Sequence, residues 1–483
     1  MHGDPLASVV LEPHGHRPLQ EQLYQQIRDL IISGHLRDTK RLPSTRTLAQ
    51  DLCVSRTTTL AAYDQLAAEG LIDQRRGAGA YVIGRTGPAT PSEAGHDRRQ
   101  QTTETADTFA IPPQKPLPFT SGIPEMRVFP SETWARATAR ALRRRSAASG
   151  MVTSAGGDQQ LRHAIAEHLR TARGLTIEWR NVVITSGMRE TLWLIARTFL
   201  QPGDTVIMEN PGFPTAFQAL HDAGLKVTTG EVDGQGICLD AHHERSTMRA
   251  ALITPSRHYP LGVTLSAERR AKLLEWADRA NRLIIEDDYD SEYRYRGRPL
   301  SPLFAQKAAL PVVHIGSFSK VLFAGLRLAY IVADQDSANR LVATQSQIGS
   351  QASVVPQIGL AEFMESGAFA AHIRRTRRLY RTRQEILVSA IATHMDGFLT
   401  CAPQDAGIHL IADIAPGLLE FFRDVDLAKL AELAGVFVRP LSSLCFGPQQ
   451  RQGLILGFAA FDEQEIEAAL KNLASAFRQA TMR

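Results

Sequence analysis

Arg282-Leu-Ile-Ile-Glu-Asp-Asp-Tyr-Asp-Ser-Glu292 decides how this chain reads. Its apolar run Leu283-Ile-Ile has the length and branching of a strand buried on both faces. The run passes straight into acids, and Asp287 stands where the strand ends. A carboxylate at the carboxyl end of a buried strand is where an open α/β sheet meets its ligand. The acids Glu286-Asp-Asp-Tyr-Asp also fit a solvated loop or a divalent-ion site. On either side, Val182-Val-Ile-Thr, Thr205-Val-Ile-Met, Ala251-Leu-Ile-Thr and Val312-Val-His-Ile repeat the short apolar pattern between helical stretches. They predict buried parallel strands of an α/β domain spanning 119–483, with a smaller α/β part from about 385.

Gly316-Ser-Phe-Ser-Lys320 follows the Val312 strand. Phe318, Val321, Leu322 and Phe323 flank Lys320 and predict that it is partly buried. Burial lowers a lysine pKa and suits imine chemistry. A Schiff-base lysine, a carboxylate for a protonated ring nitrogen, a phosphate cup and a flat group over the ring are what pyridoxal 5'-phosphate (PLP) demands. Asp287 supplies the carboxylate. Ser186-Gly187-Met188-Arg189 lies between a strand and a helix, where backbone N–H groups can hold a phosphate.

The first 83 residues read differently. Leu19, Leu23, Ile27, Leu30 and Ile31 recur at helical spacing between Pro18 and Gly34. Ser44 can cap a short helix with Leu48 and Leu52 facing inward. Ser55 can cap a second helix, Arg56 to Leu66, after a Cys53-Val54 turn. Its early Arg56-Thr57-Thr58 suits base contact, and Leu60, Tyr63 and Leu66 suit docking on the domain. Leu71–Gln74 and Ala80–Ile83 form two strands around the tip Arg75-Arg76-Gly-Ala-Gly79. This is a winged helix-turn-helix of α+β class over 1–83, with Ser44, Arg46, Ser55, Arg56, Thr57, Thr58, Arg75, Arg76 and Gly79 as candidate contacts to double-stranded operator DNA. A three-helix module that binds protein has the same periodicity.

Global charge does not carry that reading. The 483 residues have a net charge of +4, and residues 1–83 hold nine basic and nine acidic side chains. The basic ones are placed unevenly: Arg37, Lys40, Arg41, Arg46 and Arg56 outnumber Asp38 and Asp51 in the motif, a local patch of the kind phosphate contact needs. Residues 84–118, rich in proline and poor in apolar side chains, read as a linker. The four scattered cysteines argue against a disulfide framework or a zinc site, so no metal is expected. No apolar stretch reaches the ~18 residues of a membrane helix, and the N-terminus lacks a basic region followed by an apolar run, so a cytoplasmic location is expected.

Longer strings add a resemblance. Leu42-Pro-Ser-Thr-Arg, Val54-Ser-Arg-Thr-Thr and Glu69-Gly-Leu-Ile72 resemble GntR winged-helix regulators across 17–83. Gly203-Asp-Thr-Val-Ile-Met-Glu-Asn-Pro-Gly-Phe-Pro214, Thr254-Pro-Ser256 and Gly316–Arg327 resemble fold-type-I aminotransferases across 119–483. Joined, they resemble the MocR/GabR subfamily of GntR regulators. The resemblance implies that Lys320 holds PLP as an aldimine and that Asp287 pairs with the ring nitrogen. It implies Tyr289 on the ring hydroxyl and Phe213 stacked on the ring. Ser317, Arg327 and the Gly187–Met188 backbone would hold the phosphate, and the chain would form a homodimer.

Departures from the pattern bear on function. Tyr259 stands where such enzymes place an asparagine against the ring hydroxyl, and Phe213 where tyrosine is common. Ala324 and Ala329 replace a proline and a glycine often found around Arg327. On the strand Gly453-Leu-Ile-Leu-Gly, Ile455 or Leu456 occupies the place of the arginine that clamps a substrate carboxylate, and Thr215 replaces another arginine of GABA-responsive relatives. Unless Arg451 or Arg257 swings in, the clamp is absent. The expected function is a PLP-dependent transcriptional regulator that responds to PLP, or to an aldimine of PLP with an amine or amino acid, and controls vitamin B6 or amine and amino-acid genes. The alternative is a working aminotransferase with an accessory DNA-binding domain.

Overall fold

A computed structural model describes residues 6, 9, 11–12, 17–33, 35–36, 41–75, 79–83, 116–146, 154–239, 247–297, 300–306, 311–447 and 451–482. Gly34, Arg37, Asp38, Lys40, Arg76 and the linker residues 84–115 lie outside them. The chain divides into two compact units, Met1–Ala110 and Ile111–Arg483.

In the first unit, α1 (Leu19–Ile32), α2 (Thr45–Asp51) and α3 (Arg56–Ala68) precede a hairpin of β1 (Ile72–Arg75) and β2 (Gly79–Val82). Pro18 precedes the first turn of α1, where its missing N–H costs nothing. Ser44 and Ser55 each accept a hydrogen bond from the backbone N–H three residues on, Thr47 and Thr58, and so cap α2 and α3. Leu23, Ile27, Leu48, Tyr63 and Leu66 fill the small core. Leu60 does not join them; it is 44% exposed. The inward row of α3 is Thr59, Ala62, Tyr63 and Leu66, and Leu60 lies about 100° round the helix from Thr59. Thr59 takes the place assigned to Leu60, its hydroxyl satisfied by Thr45 O and Arg56 O.

The second unit is built on an eight-stranded sheet in the order β3-β10-β9-β8-β7-β4-β5-β6. The strands are β3 (Val182–Thr185), β4 (Thr205–Asn210), β5 (Lys226–Asp233), β6 (Gly236–Ile237), β7 (Met248–Ile253), β8 (Leu283–Asp288), β9 (Val312–Ser317) and β10 (Ala329–Val332). The five expected strands run in one direction. They are not one uninterrupted parallel array, because β10 runs antiparallel between β3 and β9. β10 is only Ala329-Tyr-Ile-Val, four residues with no turn signal of their own to mark them as a separate strand. Alternate residues enter two cores: Leu283 and Ile285 face one, Ile284 the other. Burial on both faces explains the unbroken apolar runs.

The helix Ala368–His394, 27 residues long, leads into a four-stranded sheet, β11-β12-β14-β13, made of β11 (Leu399–Thr400), β12 (His409–Ile414), β13 (Arg439–Pro440) and β14 (Leu454–Gly457). This helix runs unbroken through residue 385. Among the described residues no helix is long and apolar enough to cross a membrane.

Candidate functional site

The carboxyl ends of β3, β4, β7, β8 and β9 share one edge of the large sheet. Thr185 and Ser317 pair with the same residue, Ala329, and Asp287 pairs with Ile315. The loops beyond this edge carry the candidate residues.

Asp287 is 8% exposed and its Oδ1 has no hydrogen-bond partner. Burial, with Asp288, Asp290 and Glu209 nearby, pushes its pKa up to about 8, against a pull from the Lys320 charge. The Lys320 ammonium donates to Gly122 O at 3.2 Å. Burial lowers its pKa first and the Arg439 charge second, while Asp290 and Asp287 act the other way. Gly122 has φ +78°, and a Cβ there would stand 2.3 Å from Lys320 Nζ. Only glycine lets this backbone close on the lysine.

Three rings line the same space. Phe213 meets Tyr259 edge-on at 5.7 Å, and Tyr259 meets Tyr289 edge-on at 5.7 Å. Tyr259 also packs on His409. The hydroxyl of Tyr289 accepts a hydrogen bond from Arg257 Nη1 at 2.7 Å. Arg257 is 3% exposed and fully committed. Its other acceptors are Asp290, Ala406 O, Gln404 and His409 O. It therefore cannot swing in as a carboxylate clamp without stranding Asp290.

A second cluster sits beside this. Gly187, φ +116°, precedes α4 (Met188–Phe199), so the first N–H groups of the helix point outward. A Cβ on Gly187 would lie 3.4 Å from Arg327 Cζ. The exposed Arg327 guanidinium therefore covers the helix start. Ser317 ends β9 and its hydroxyl accepts from Ser319 N.

The neighbouring acids are not a solvated loop. Glu286, Asp288 and Asp290 are 0%, 7% and 1% exposed. Strand alternation sends Asp287 to one face of β8 and Glu286 and Asp288 to the other. There Asp288 pairs with Arg173 at 2.9 Å, and Glu286 takes His314 Nδ1 at 3.1 Å and the N–H groups of Leu303 and Phe304.

Arg439 is the residue that sequence reasoning missed. It lies on β13, in register with Ile455 on β14, and its guanidinium makes no hydrogen bond or ion pair among the described residues. Its charge acts on both Lys320 and His409. Arg439 thus places a positive charge near Lys320 from the strand beside β14. The signal available was weak: one arginine inside Val436-Phe-Val-Arg-Pro. Arg451, the other candidate, is exposed and acts electrostatically on His258 and Cys445.

In the first unit, Arg46, Ser55, Arg56 and Thr57 are exposed on α2 and α3, with Thr58 half-buried behind them. Arg46 and Arg56 flank a depression of about 410 Å³ at the elbow between the helices. Gly79, φ +100°, opens β2, and a Cβ there would touch Arg41 Nε at 3.0 Å. Arg41 is thereby held over the wing. Arg75 closes β1; Arg76 is outside the described residues.

The pocket fits PLP on its own geometry. It offers a half-buried lysine, an orphaned buried carboxyl oxygen that a pyridinium N–H would satisfy, a phenol, aromatic walls and a helix start backed by a guanidinium with no ion pair among the described residues.

Residues 116–473 match the family described as aminotransferase class I and II, and residues 19–82 match bacterial regulatory proteins of the gntR family. The chain is 35% identical to the "probable rhizopine catabolism regulatory protein MocR" of Rhizobium meliloti, over 97% of this chain and 96% of that one. It is 32% identical to the "HTH-type pyridoxine biosynthesis transcriptional regulator PdxR" of Corynebacterium glutamicum, over 97% and 98%. Among solved structures, the α-aminoadipate aminotransferase LysN of Thermus thermophilus, complexed with N-(5'-phosphopyridoxyl)-L-leucine, superposes with a TM-score of 0.67 at 27% identity. The match covers 76% of this chain and 93% of that one.

Proposed function

Since this chain belongs to the MocR/GabR subfamily of GntR-type transcriptional regulators, with PLP as the cofactor of its aminotransferase class I and II unit, we propose that its operator affinity is set by what occupies the pocket around Lys320. The observation that carries this reading is the orphaned Asp287 oxygen in the pocket of Lys320, on the same polypeptide as two capped helices, α2 and α3, whose Arg46 and Arg56 make no ion pair among the described residues.

Lys320 would hold PLP covalently, with Asp287 on the ring nitrogen and Tyr289 on the ring hydroxyl. Phe213 and Tyr259 would wall the ring, and Gly187 N, Met188 N, Ser317 and Arg327 would take the phosphate. When bound, PLP supplies an electrophilic carbon for amines and an electron sink. Arg257 donates to the Tyr289 hydroxyl and so fixes which way that phenol points its own proton. Gly122 O holds one ammonium proton of Lys320. Asp287 stays neutral at pH 7 in the bare pocket and ionises opposite a cation.

Arg56, Arg46, Thr57, Thr58, Ser44, Ser55, Arg75, Arg76 and Gly79 would form the operator face, acting in the cytoplasm as part of a homodimer. Pocket and operator would be coupled by linkage: a ligand that prefers one arrangement of the dimer shifts DNA affinity by that preference. Turnover would be slow or absent, because β14 lacks its arginine and Arg257 is occupied. One effector reading is PLP itself, as the name of the Corynebacterium relative suggests. Arg439 favours a second reading, an amine that also carries a carboxylate. Fluorescence anisotropy on the chain's own upstream DNA separates them. A shift with PLP alone supports the first; a shift that needs an amino acid and vanishes in Arg439→Gln supports the second. No shift under any condition sinks ligand control, and sustained conversion of a 2-oxo acid would restore the enzyme reading.

A further inference from the structure

A cleft of about 240 Å³ opens between the loop Ser256–Thr264 of the large part and Pro403–Ala406 at the edge of the small part, with Arg294 on its wall. Arg257, which lines it, also donates to the Tyr289 hydroxyl. The backbone fixes its frame: Tyr295 N and Arg296 N both donate to Asp405 O, and Gly407 N donates to Tyr293 O. Gly262, φ +75°, presses so closely on Gln404 that a Cβ would sit 2.3 Å from its Oε1.

Two opposite charges line this cleft without meeting. Arg294 Nε is buried and has no acceptor among the described residues. Asp405 is exposed, and its carboxylate makes no ion pair among the described residues. Buried N–H groups almost always find an acceptor, so an orphan in a cleft marks a place for one. Ser256 Oγ accepts from Arg173, which leaves its own proton free to donate. The cleft thus carries both donors and a carboxylate on its lining, and its volume falls below that of pockets for drug-sized molecules, about 300–1,000 Å³.

The geometry points to a second small-molecule site here, which takes a small amino acid as a zwitterion: its carboxylate against Arg294 and Ser256, its ammonium against Asp405. Gln404 couples the site to the lysine pocket. It accepts from Arg257 Nη2 at 2.7 Å, while Nη1 of the same guanidinium holds Tyr289 at 2.7 Å. A ligand that draws Gln404 to itself therefore loosens or turns the group that orients Tyr289.

The site does not depend on the regulatory reading, and its test needs neither DNA nor PLP. Labelled glycine and L-alanine are dialysed to equilibrium against the full-length Lys320→Ala protein, with propionate and propylamine as single-charge controls. Saturable binding of the amino acids is expected. It should weaken by at least about tenfold for either control, and in Arg294→Gln or Asp405→Asn, the loss of one charge-assisted hydrogen bond. Neither substitution strands a side-chain partner among the described residues, so both variants should keep the parent's unfolding temperature. Absence of saturable binding overturns the proposal. So does binding that survives both cleft substitutions, or that is abolished by Arg439→Gln instead, which would assign it to the lysine pocket.

Discussion

Asp287 shows how much one position can say. An acid at the end of an apolar run was legible because a strand terminus and a charge coincide there. Its protonation was not legible, since that depends on Asp288, Asp290 and Glu209 meeting around it in space. The sign of its pH effect follows. Burial holds Asp287 at about 8 and Glu209 at about 7, well above the ~4 of an unfolded carboxyl. The folded state therefore binds more protons than the unfolded one up to those values, and stability falls as pH rises through them. The buried His258, depressed to about 3, acts in the opposite sense, but only below its unfolded value of ~6.5. Thermal unfolding of PLP-free protein should therefore show a fall from about pH 6.5 to 8 that is shallower in Asp287→Asn; parallel curves would refute the protonated assignment. Lys320→Ala should lose the visible absorbance of the bound cofactor and keep basal operator binding. Loss of both would make the cofactor a structural part rather than a signal.

Elements were readable where a local rule acts alone. Ser44 and Ser55 announce their helices because a cap needs one oxygen and one N–H three residues on. Ser55→Ala should cost about 1 kcal/mol of stability in the winged helix, read as a lower denaturation midpoint. Leu60 was misplaced because periodicity counts apolar residues, whereas Thr59 earns its inward place through two hydrogen bonds that periodicity does not see. Arg439 escaped notice for a related reason: its importance lies in which strand stands beside β13, and that is a matter of topology. For α3, Arg56→Ala discriminates between two contacts. A phosphate contact would lower the salt dependence of operator binding by about one unit for every sequence; a base contact would cost about 1–3 kcal/mol and relax preference at one position. Unchanged binding would remove Arg56 from the operator face.

For the whole molecule, strand direction was legible from buried runs, while sheet order was not, since β10 begins at Ala329, far along the chain from the end of β3 at Thr185, and leaves no periodic trace. The layer beneath the sheet was equally hidden, because Arg173, the β8 pair Glu286 and Asp288, and His314 come from three separate stretches. Removing one partner leaves the other buried and uncompensated, so Asp288→Ala should cost about 3–5 kcal/mol, measured as a fall in unfolding free energy; a change below 1 kcal/mol would show that Arg173 finds another acceptor. One strand thereby serves two masters. On β8 the odd positions end at the pocket and the even positions anchor the arginine layer, so ligand recognition and integrity of the fold are interleaved residue by residue. Such a segment can vary by replacement but not by slippage. An in-frame loss of a single codon between Leu283 and Glu286 would exchange the two faces at once, setting Asp287 in the place of Glu286 beside His314 and Asp288 in the pocket. Genes for this protein can thus be expected to tolerate spelling changes here far better than changes of length.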